Sequence, residues 1–171
     1  MDAWLAIASR REVREYAPAP LGDELERRIL EAGRISGSSR NTQPWTFVVI
    51  HGDEARERAA QAVYQSGNVE GAAFVVAIVV SGKGRADFDA GRAMQNMVLA
   101  AWADGVGSCP NGVSDAEAMG ELLGLGEGER VAIVLTFGRP AKPRDPARRS
   151  PEAWLERADR KPFDDIVREV D

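Results

Sequence analysis

Two short arginine clusters are the residues whose type and spacing most directly suggest chemistry. Arg10 and Arg11 lie near the N-terminus of the sequence, and Arg148 and Arg149 lie near its C-terminus. Arginine binds phosphate through charge-assisted and often bidentate hydrogen bonds, so both pairs are candidate sites for a phosphorylated ligand. They are local features of an acidic chain, since the formal net charge of the 171 residues is −5. For Arg148 and Arg149 the alternative is a solvated basic surface.

A polar loop before a predicted strand is the second pattern that suits a ligand. Ser38 and Ser39 are small enough to let a ligand approach the backbone closely. Asn41 and Gln43 can both donate and accept hydrogen bonds, as recognition of a heterocycle edge requires. The strand predicted over residues 45–50 would give this loop a rigid support. The alternative is an ordinary polar turn that precedes a strand.

The remaining reactive side chains offer little for a catalytic or metal site. His51 is the only histidine and Cys109 is the only cysteine. A histidine-based triad or a cysteine-rich zinc site therefore has no support, and we predict no metal site. We expect His51 to face solvent at a strand end, and we expect Cys109 to be a structural residue and not a nucleophile.

The glycine-rich segments do not match the common nucleotide-binding patterns. Gly105 and Gly107 begin like a dinucleotide fingerprint, but Pro110 stands where the third glycine should be. The segment also follows a predicted helix, whereas the fingerprint follows a strand. The sequence contains no Walker motif. These features disfavour a doubly wound dinucleotide fold and a P-loop fold.

Charge and hydropathy also bear on partners and compartment. The negative net charge argues against a nucleic-acid or anionic-membrane partner. No apolar run reaches the roughly 20 residues that a membrane-spanning helix needs, and the first residues lack the pattern of an export signal. Together with the single cysteine, these features predict a cytoplasmic protein without nucleic-acid or membrane partners.

Hydrophobic periodicity predicts the elements that must position these residues. Residues 74–80 and 131–137 are continuous apolar runs, typical of central strands with helices on both faces. The longest predicted helix, residues 87–104, is apolar nearly all round in its second half, so it is either central or buried by a partner chain. Further predicted elements are a strand over 45–50, helices over 2–9, 23–33 and 53–65, and a helix that Ser114 and Glu117 begin as a capping box and Gly124 ends. These elements sum to a layered domain of helices and few strands, and their irregular spacing predicts a mixed sheet between helical layers.

Four segments, in order along the chain, resemble the nitroreductase family. Residues 9–16, Ser-Arg-Arg-Glu-Val-Arg-Glu-Tyr, resemble its opening signature Arg-Arg-Ser-x-Arg-x-Phe. Residues 41–45, Asn-Thr-Gln-Pro-Trp, resemble its Asn-x-Gln-Pro-Trp strand entry. Residues 89–109 resemble its long central helix and following Gly-x-Gly turn, and residues 137–141 resemble its last core strand and Gly-x-Pro exit. Each motif is weak alone, but the four together cover nearly the whole chain.

The resemblance implies an α+β fold of three layers, α/β/α, with a central mixed, largely antiparallel sheet. It implies one domain over residues 1–171, whose extended segment 139–171 crosses the surface or the partner subunit. It also implies an intertwined homodimer with FMN at the subunit interface and electrons supplied by NAD(P)H.

Residue roles in FMN binding also follow from the resemblance. Arg10 and Arg11 would contact the phosphate and ribityl end of FMN, and Arg148 and Arg149 would bind its phosphate. Arg14 would reach toward the pyrimidine edge of the ring. In the loop, Ser38, Ser39 and Asn41 would contact the flavin from the partner subunit, and Gln43 is also expected to bind the cofactor. Asn111 and Gly112 would lie near the flavin N5 edge, mostly through backbone groups. Gln65 and Asn68 are both candidates for the polar residue that the family often has before the second strand.

Two residues depart from the family pattern. Glu12 stands where the family usually has serine beside the phosphate, so its carboxylate must turn away or pair with an arginine. Gly37 replaces the usual proline and should loosen the loop.

The function implied is an FMN-dependent oxidoreductase that takes hydride from NAD(P)H and reduces an electron-poor acceptor, a nitroaromatic or a quinone, by a ping-pong mechanism. No catalytic acid or base is expected, because the flavin carries the redox chemistry and Arg14 would tune it. Two alternatives stay open. One is a flavin-binding protein of the same fold with little reductase turnover, used for storage, sensing or interaction. The other is a relative with specialised flavin chemistry.

Overall fold

The computed structural model describes residues 1–82 and 85–170. These residues form two compact units, one built from Met1–Arg10 and the segment that begins at Asp145, the other from Arg11–Arg144. In chain order the described elements are α1 Ala3–Ser9, α2 Asp23–Arg34, β1 Trp45–Val49, α3 Asp53–Gln61, α4 Ser66–Glu70, β2 Phe74–Ser81, α5 Ala86–Ala103, β3 Gly107–Asn111, α6 Ala116–Leu123, β4 Glu129–Gly138, α7 Pro151–Glu156 and α8 Phe163–Ile166. None of the described helices combines the length and the apolar character that a membrane span requires.

The second unit is built on a four-stranded sheet in the order β1-β2-β4-β3. All three pairs of neighbouring strands are antiparallel, and a β-bulge follows Ile78 where β2 pairs with β4. As its continuous apolar run predicts, β2 is central, and no residue from Phe74 to Val80 is more than 2% exposed. The α+β class is confirmed, and the described strands pair antiparallel throughout where the sequence suggested a mixed sheet.

Helices cover both faces of this sheet. On one face, Ile29 of α2 and Met97 of α5 share an apolar cluster with Ile78 of β2. The cluster on the other face contains Ala77 of β2 with Ala60 of α3, Val69 of α4 and Met119 of α6. Successive residues of β2 serve opposite faces because side chains alternate along a strand. The predicted three layers are confirmed.

Helix α5 is the longest described helix, as predicted, and it lies centrally. Met97, Val98 and Ala101 are buried in the cluster that faces the sheet, and Trp102 is also buried. The apolar second half of this helix is therefore largely explained by packing within the chain.

Two predicted helix boundaries are wrong. The helix predicted to reach residue 65 ends at Gln61, because Val63 pairs with Val113 in an isolated β-bridge and the Tyr64 N–H donates to the Gly112 carbonyl at 3.1 Å. Helix α6 is capped by Asp115 and not by Ser114, since the Asp115 carboxylate accepts a hydrogen bond from the Ala118 N–H at 3.0 Å. Asp and Ser are equally good N-caps, so composition alone does not choose between them.

Two other segments contain structure that the sequence did not predict. The turn expected after Gly105 includes strand β3, whose residues Gly-Ser-Cys-Pro-Asn give no apolar alternation. The segment after residue 139, expected to be extended, contains a 3-10 turn over Pro146–Arg148 and the helices α7 and α8.

The segment that follows Arg11 is fixed along the end of the sheet. The Val13 N–H donates to the Ser108 carbonyl at 3.0 Å, and the Ala17 N–H donates to the Arg139 carbonyl at 2.8 Å. Tyr16 packs directly on the backbone of Gly138, where an added Cβ would lie 2.7 Å from the tyrosine ring. Position 138 therefore requires a glycine, because any side chain there would collide with the Tyr16 ring.

We expect Gly138→Ala to destabilise the fold by about 1–3 kcal/mol, the usual cost of forcing a methyl group into a packed core. Tyr16 cannot easily retreat, because its hydroxyl is hydrogen-bonded to Thr136. Gly67→Ala in α4 is the matched control, since an added Cβ there meets no atom within 4 Å and alanine favours a helix. Urea unfolding at one fixed protein concentration measures both changes. Equal stabilities for the two variants would contradict this account of the packing.

Candidate functional site

The first unit concentrates positive charge around a buried tryptophan. The guanidinium carbons of Arg148 and Arg149 lie 5.3 and 5.0 Å from the centre of the Trp154 ring. Trp154 is held by its own hydrogen bond, which its ring N–H donates to the Pro146 carbonyl at 2.8 Å. Cations placed over an aromatic face are attracted to it, so the ring helps to fix both side chains.

One donor of this cluster is buried without an acceptor. Arg149 Nη1 is inaccessible to solvent and has no hydrogen-bond partner among the described residues. Local burial, together with the charges of Arg148 and Arg157, lowers the pKa of Arg149 from its ordinary value. A buried, unsatisfied N–H and crowded like charges are both relieved by an anion. Arg10 belongs to the same unit, as the half-buried C-cap residue of α1.

The second unit carries the other predicted arginines on the segment beside the sheet. Arg11 is half-buried, whereas Arg14 is exposed. Arg14 and Glu12 line an opening of about 290 Å³ together with Lys142 and Arg144. Glu12, whose carboxylate would oppose a phosphate, thus shares this opening with three cationic residues and with Glu15, whose carboxylate lies 4.0 Å from Lys142 Nζ.

The polar loop before β1 has an unusual backbone. Arg40, Asn41 and Gln43 adopt left-handed φ angles of 53°, 56° and 49°. The loop is closed by a hydrogen bond from the Gln43 N–H to Ser38 Oγ at 2.8 Å and by another from Gln43 Nε2 to the Asn41 carbonyl at 3.3 Å. Non-glycine residues in this region cost energy and occur often at ligand-contacting sites.

A buried carboxylate on α5 anchors this loop. Asp89 is 2% exposed and accepts a hydrogen bond from the Ser39 N–H at 3.1 Å. Arg92, one turn along the helix, lies 3.8 Å from the other carboxylate oxygen. The same arginine lies against Gly37, where an added Cβ would be 2.7 Å from Arg92 Nη2. The loosening expected from Gly37 is thus countered by Asp89 and Arg92.

Asn111 lies at the end of β3 with its side chain turned into the core. Its amide donates to the carbonyl of Cys109 at 2.8 Å and contacts the hydroxyl of Thr136 at 3.2 Å. Its carbonyl oxygen accepts from Asn68 Nδ2 at 2.7 Å. Only backbone atoms near Asn111 and the exposed Gly112 are left to face a ligand.

The network extends to Tyr16. Its hydroxyl lies 3.0 Å from Thr136 Oγ1, and burial raises the pKa of the phenol well above its ordinary value. Tyr16 therefore stays neutral and joins the segment that carries Arg14 to β4. Of the two residues left open by the sequence, Asn68 is buried in this network, whereas Gln65 is exposed.

The predicted residues thus fall into separate groups. Within the second unit, Asn111 shares a network with α4 and β4, while the loop at Ser38 and Ser39 is anchored on α5. Sequence reasoning missed Asp89, Asn68 and Tyr16 as residues that fix these segments. The available signal for Asp89 was an acidic residue in the first turn of a helix whose second half is apolar.

Other chemistry finds no support in the described part of the chain. No cluster of three or more potential metal ligands occurs there. Cys109 is buried beside Asn68, with Asn68 Nδ2 3.8 Å from its sulfur, and it packs as the sequence predicts. His51 is exposed just after β1, also as predicted.

Comparison with known proteins gives consistent results. The family model described as "Nitroreductase family" matches residues 7–81 and 80–139. An Archaeoglobus fulgidus protein, named as an NADH dehydrogenase/NAD(P)H nitroreductase, is 32% identical over 149 residues, which are 81% of this chain and 86% of that protein. A Clostridium difficile structure of a nitroreductase family protein superposes with a TM-score of 0.83 at 21% identity, over 98% of both chains. A Desulfovibrio desulfuricans structure, described as a nitroreductase in complex with FMN, has a TM-score of 0.80 at 26% identity and covers 100% of this chain and 98% of its own.

Proposed function

Because the chain belongs to the nitroreductase family of flavin-dependent NAD(P)H oxidoreductases, we propose that it uses FMN to reduce electron-poor acceptors, nitroaromatics or quinones, in a ping-pong cycle. The observation that carries the choice of FMN is the buried Arg149 donor beside a second arginine, which suits a phosphorylated flavin. It agrees with the related structure described as a complex with FMN. FMN supplies the redox chemistry when bound, accepting hydride and passing electrons to the acceptor.

The first unit would hold the phosphate. Arg148 and Arg149 are fixed over Trp154, and Arg10 ends α1 in the same unit. A phosphate oxygen would give Arg149 Nη1 the acceptor that it lacks among the described residues. It would also offset the mutual repulsion of the arginines, so these residues fit the group.

The second unit would contact the ring end of the cofactor. Arg14 is exposed and would place a fixed positive charge at the pyrimidine edge, where it favours uptake of electrons by the flavin. Arg11 stands on the same segment and would contact the ribityl end. The loop residues Ser38, Ser39, Asn41 and Gln43 would contact the flavin of a partner subunit, and the backbone of Asn111 and Gly112 would lie near N5.

A homodimer is part of this proposal. In the first unit, Trp4 and Ile7 lie about one turn apart on α1 and are 51% and 52% exposed. Phe163, on α8, is 72% exposed. Large apolar side chains on one helix face suit burial against a second copy, and obligate interfaces bury on the order of 2,000 Å² or more.

The proposal is tested with purified full-length chain and FMN. We expect FMN fluorescence to be quenched on titration with micromolar protein. We also expect the bound flavin to lose its visible absorbance on anaerobic addition of NADH or NADPH, and to regain it when a quinone or nitroaromatic is added. No FMN binding by a folded sample would overturn the proposal. Binding without bleaching would show a flavin-binding protein with little reductase turnover.

A further inference from the structure

The second unit has a cationic feature that involves none of the arginines assigned to the flavin phosphate. A cleft of about 740 Å³ opens in the second unit between the loop before β1 and the start of α5. Its polar side chains are those of Ser39, Arg40, Thr42, Ser81, Arg85 and Asp89. Three hydroxyl groups and two guanidinium groups therefore share one cleft, with a single carboxylate.

The carboxylates near this cleft are already engaged. Asp89 is 2% exposed and is bound by the Ser39 N–H and approached by Arg92. Asp87, at the same end of α5, accepts two hydrogen bonds from the guanidinium of Arg130. Arg40 and Arg85 are exposed, and neither forms an ion pair within residues 1–82 and 85–170. Two positive charges are therefore left for a ligand, on a chain whose net charge is −5.

The lining fits phosphate esters better than a small neutral molecule. Guanidinium groups and hydroxyls are donors that match phosphate oxygens. A volume of about 740 Å³ exceeds the needs of a single inorganic ion and lies in the range of sites for nucleotide-sized ligands. Ser39 and Asn41, on either side of Arg40, are also the residues proposed to contact the flavin. A phosphate-bearing ligand in this cleft would thus lie next to that flavin.

We propose that the cleft binds phosphate groups of the nicotinamide dinucleotide through Arg40 and Arg85. This inference rests on the proposed function, since it concerns the reductant of the same site. The phosphate is either the pyrophosphate, common to NADH and NADPH, or the 2′-phosphate of NADPH alone. Both offer the same chemistry to the two arginines.

The test measures binding directly, without turnover. NADP⁺ and NAD⁺ are titrated by calorimetry into the FMN-loaded protein, its Arg40→Gln and Arg85→Gln variants, and Arg27→Gln. Arg27 is an exposed arginine on α2 that does not line the cleft, so it is the matched control. We expect Kd for NADP⁺ to rise at least about tenfold in both cleft variants, as for loss of a charge-assisted hydrogen bond, with no change in Arg27→Gln. The FMN content of each sample is measured in parallel.

The comparison of dinucleotides identifies the phosphate. A loss confined to NADP⁺ assigns the 2′-phosphate, and an equal loss for NAD⁺ assigns the pyrophosphate. Unchanged Kd values for both dinucleotides, or equal losses in Arg27→Gln, would overturn the inference. Should Arg40→Gln fail to fold, Arg85→Gln decides alone, because Arg85 is exposed at the helix start. Failure of the proposed function is distinguishable, since it would show as absent FMN binding or absent bleaching while NADP⁺ binding is measured separately.

Discussion

Arg149→Ala should weaken FMN binding by about 10- to 100-fold, the effect of losing a hydrogen bond between charged groups. Arg149 Nη1 is buried without an acceptor among the described residues, and its guanidinium is fixed 5.0 Å from the Trp154 ring. The donor is thus held in place before a phosphate arrives, so little side-chain entropy is lost on binding.

Arg14→Ala is the matched control, because it removes the same group from the proposed ring end. It should leave FMN affinity nearly unchanged and lower the midpoint potential of the bound flavin. Arg149→Ala should weaken FMN binding and leave the midpoint potential nearly unchanged, since the phosphate carries the same charge in both redox states of the flavin. Fluorescence titration gives the affinities, and equilibration with redox dyes gives the potentials. If Arg149→Ala binds FMN as tightly as the unchanged chain, the phosphate is bound elsewhere.

The elements that carry the fold could be predicted because their signals are local. The run that became β2 has no polar side chain to satisfy from Phe74 to Val80, and the run that became β4 has only Thr136 within residues 131–137, so both indicate strands covered on both faces. The bounds of α5 could be predicted to within one residue, because residues 87–104 form one long stretch without proline and its second half is apolar. Strand β3 gave no such signal, since glycine, serine and proline fill it and its pairing with β4 is a long-range property.

The candidate site could be predicted in its residue types but not in its geometry. The arginine clusters and the loop from Ser38 to Gln43 are visible in the sequence because their residue types suit phosphate and the edge of a heterocycle. The anchoring of that loop is not visible, since Ser39 and Asp89 are 50 residues apart. The orientation of Asn111 is hidden for the same reason, because all of its partners but Cys109 lie on other elements. Such contacts form only when distant segments meet.

Asn111→Ala is expected to lower the free energy of unfolding by about 3 kcal/mol or more. The Asn111 side chain is 4% exposed and joins α4, β3 and β4 by hydrogen bonds. Its loss leaves the Asn68 amide without its 2.7 Å acceptor, which costs roughly 1–3 kcal/mol for one buried polar group. The cavity left by the truncated side chain adds to that cost.

Asn96→Ala is the control that distinguishes loss of this buried network from the effect of removing any hydrogen-bonded asparagine. Asn96 also donates a hydrogen bond of 2.7 Å, to Ser36 Oγ, but it is exposed on α5, where water can replace the lost partner and alanine favours the helix. We expect Asn96→Ala to cost at most about 1 kcal/mol of the free energy of unfolding.

A double-mutant cycle of Asn68→Ala and Asn111→Ala should give a coupling energy of about 0.5–3 kcal/mol. Urea unfolding is measured at one fixed protein concentration with FMN either absent or saturating throughout, because ligand and partner binding both shift apparent stability. Additive effects of Asn68→Ala and Asn111→Ala, or equal costs for Asn111→Ala and Asn96→Ala, would show that the buried amides do not act together. The end of β3 would then be fixed by its pairing with β4 alone.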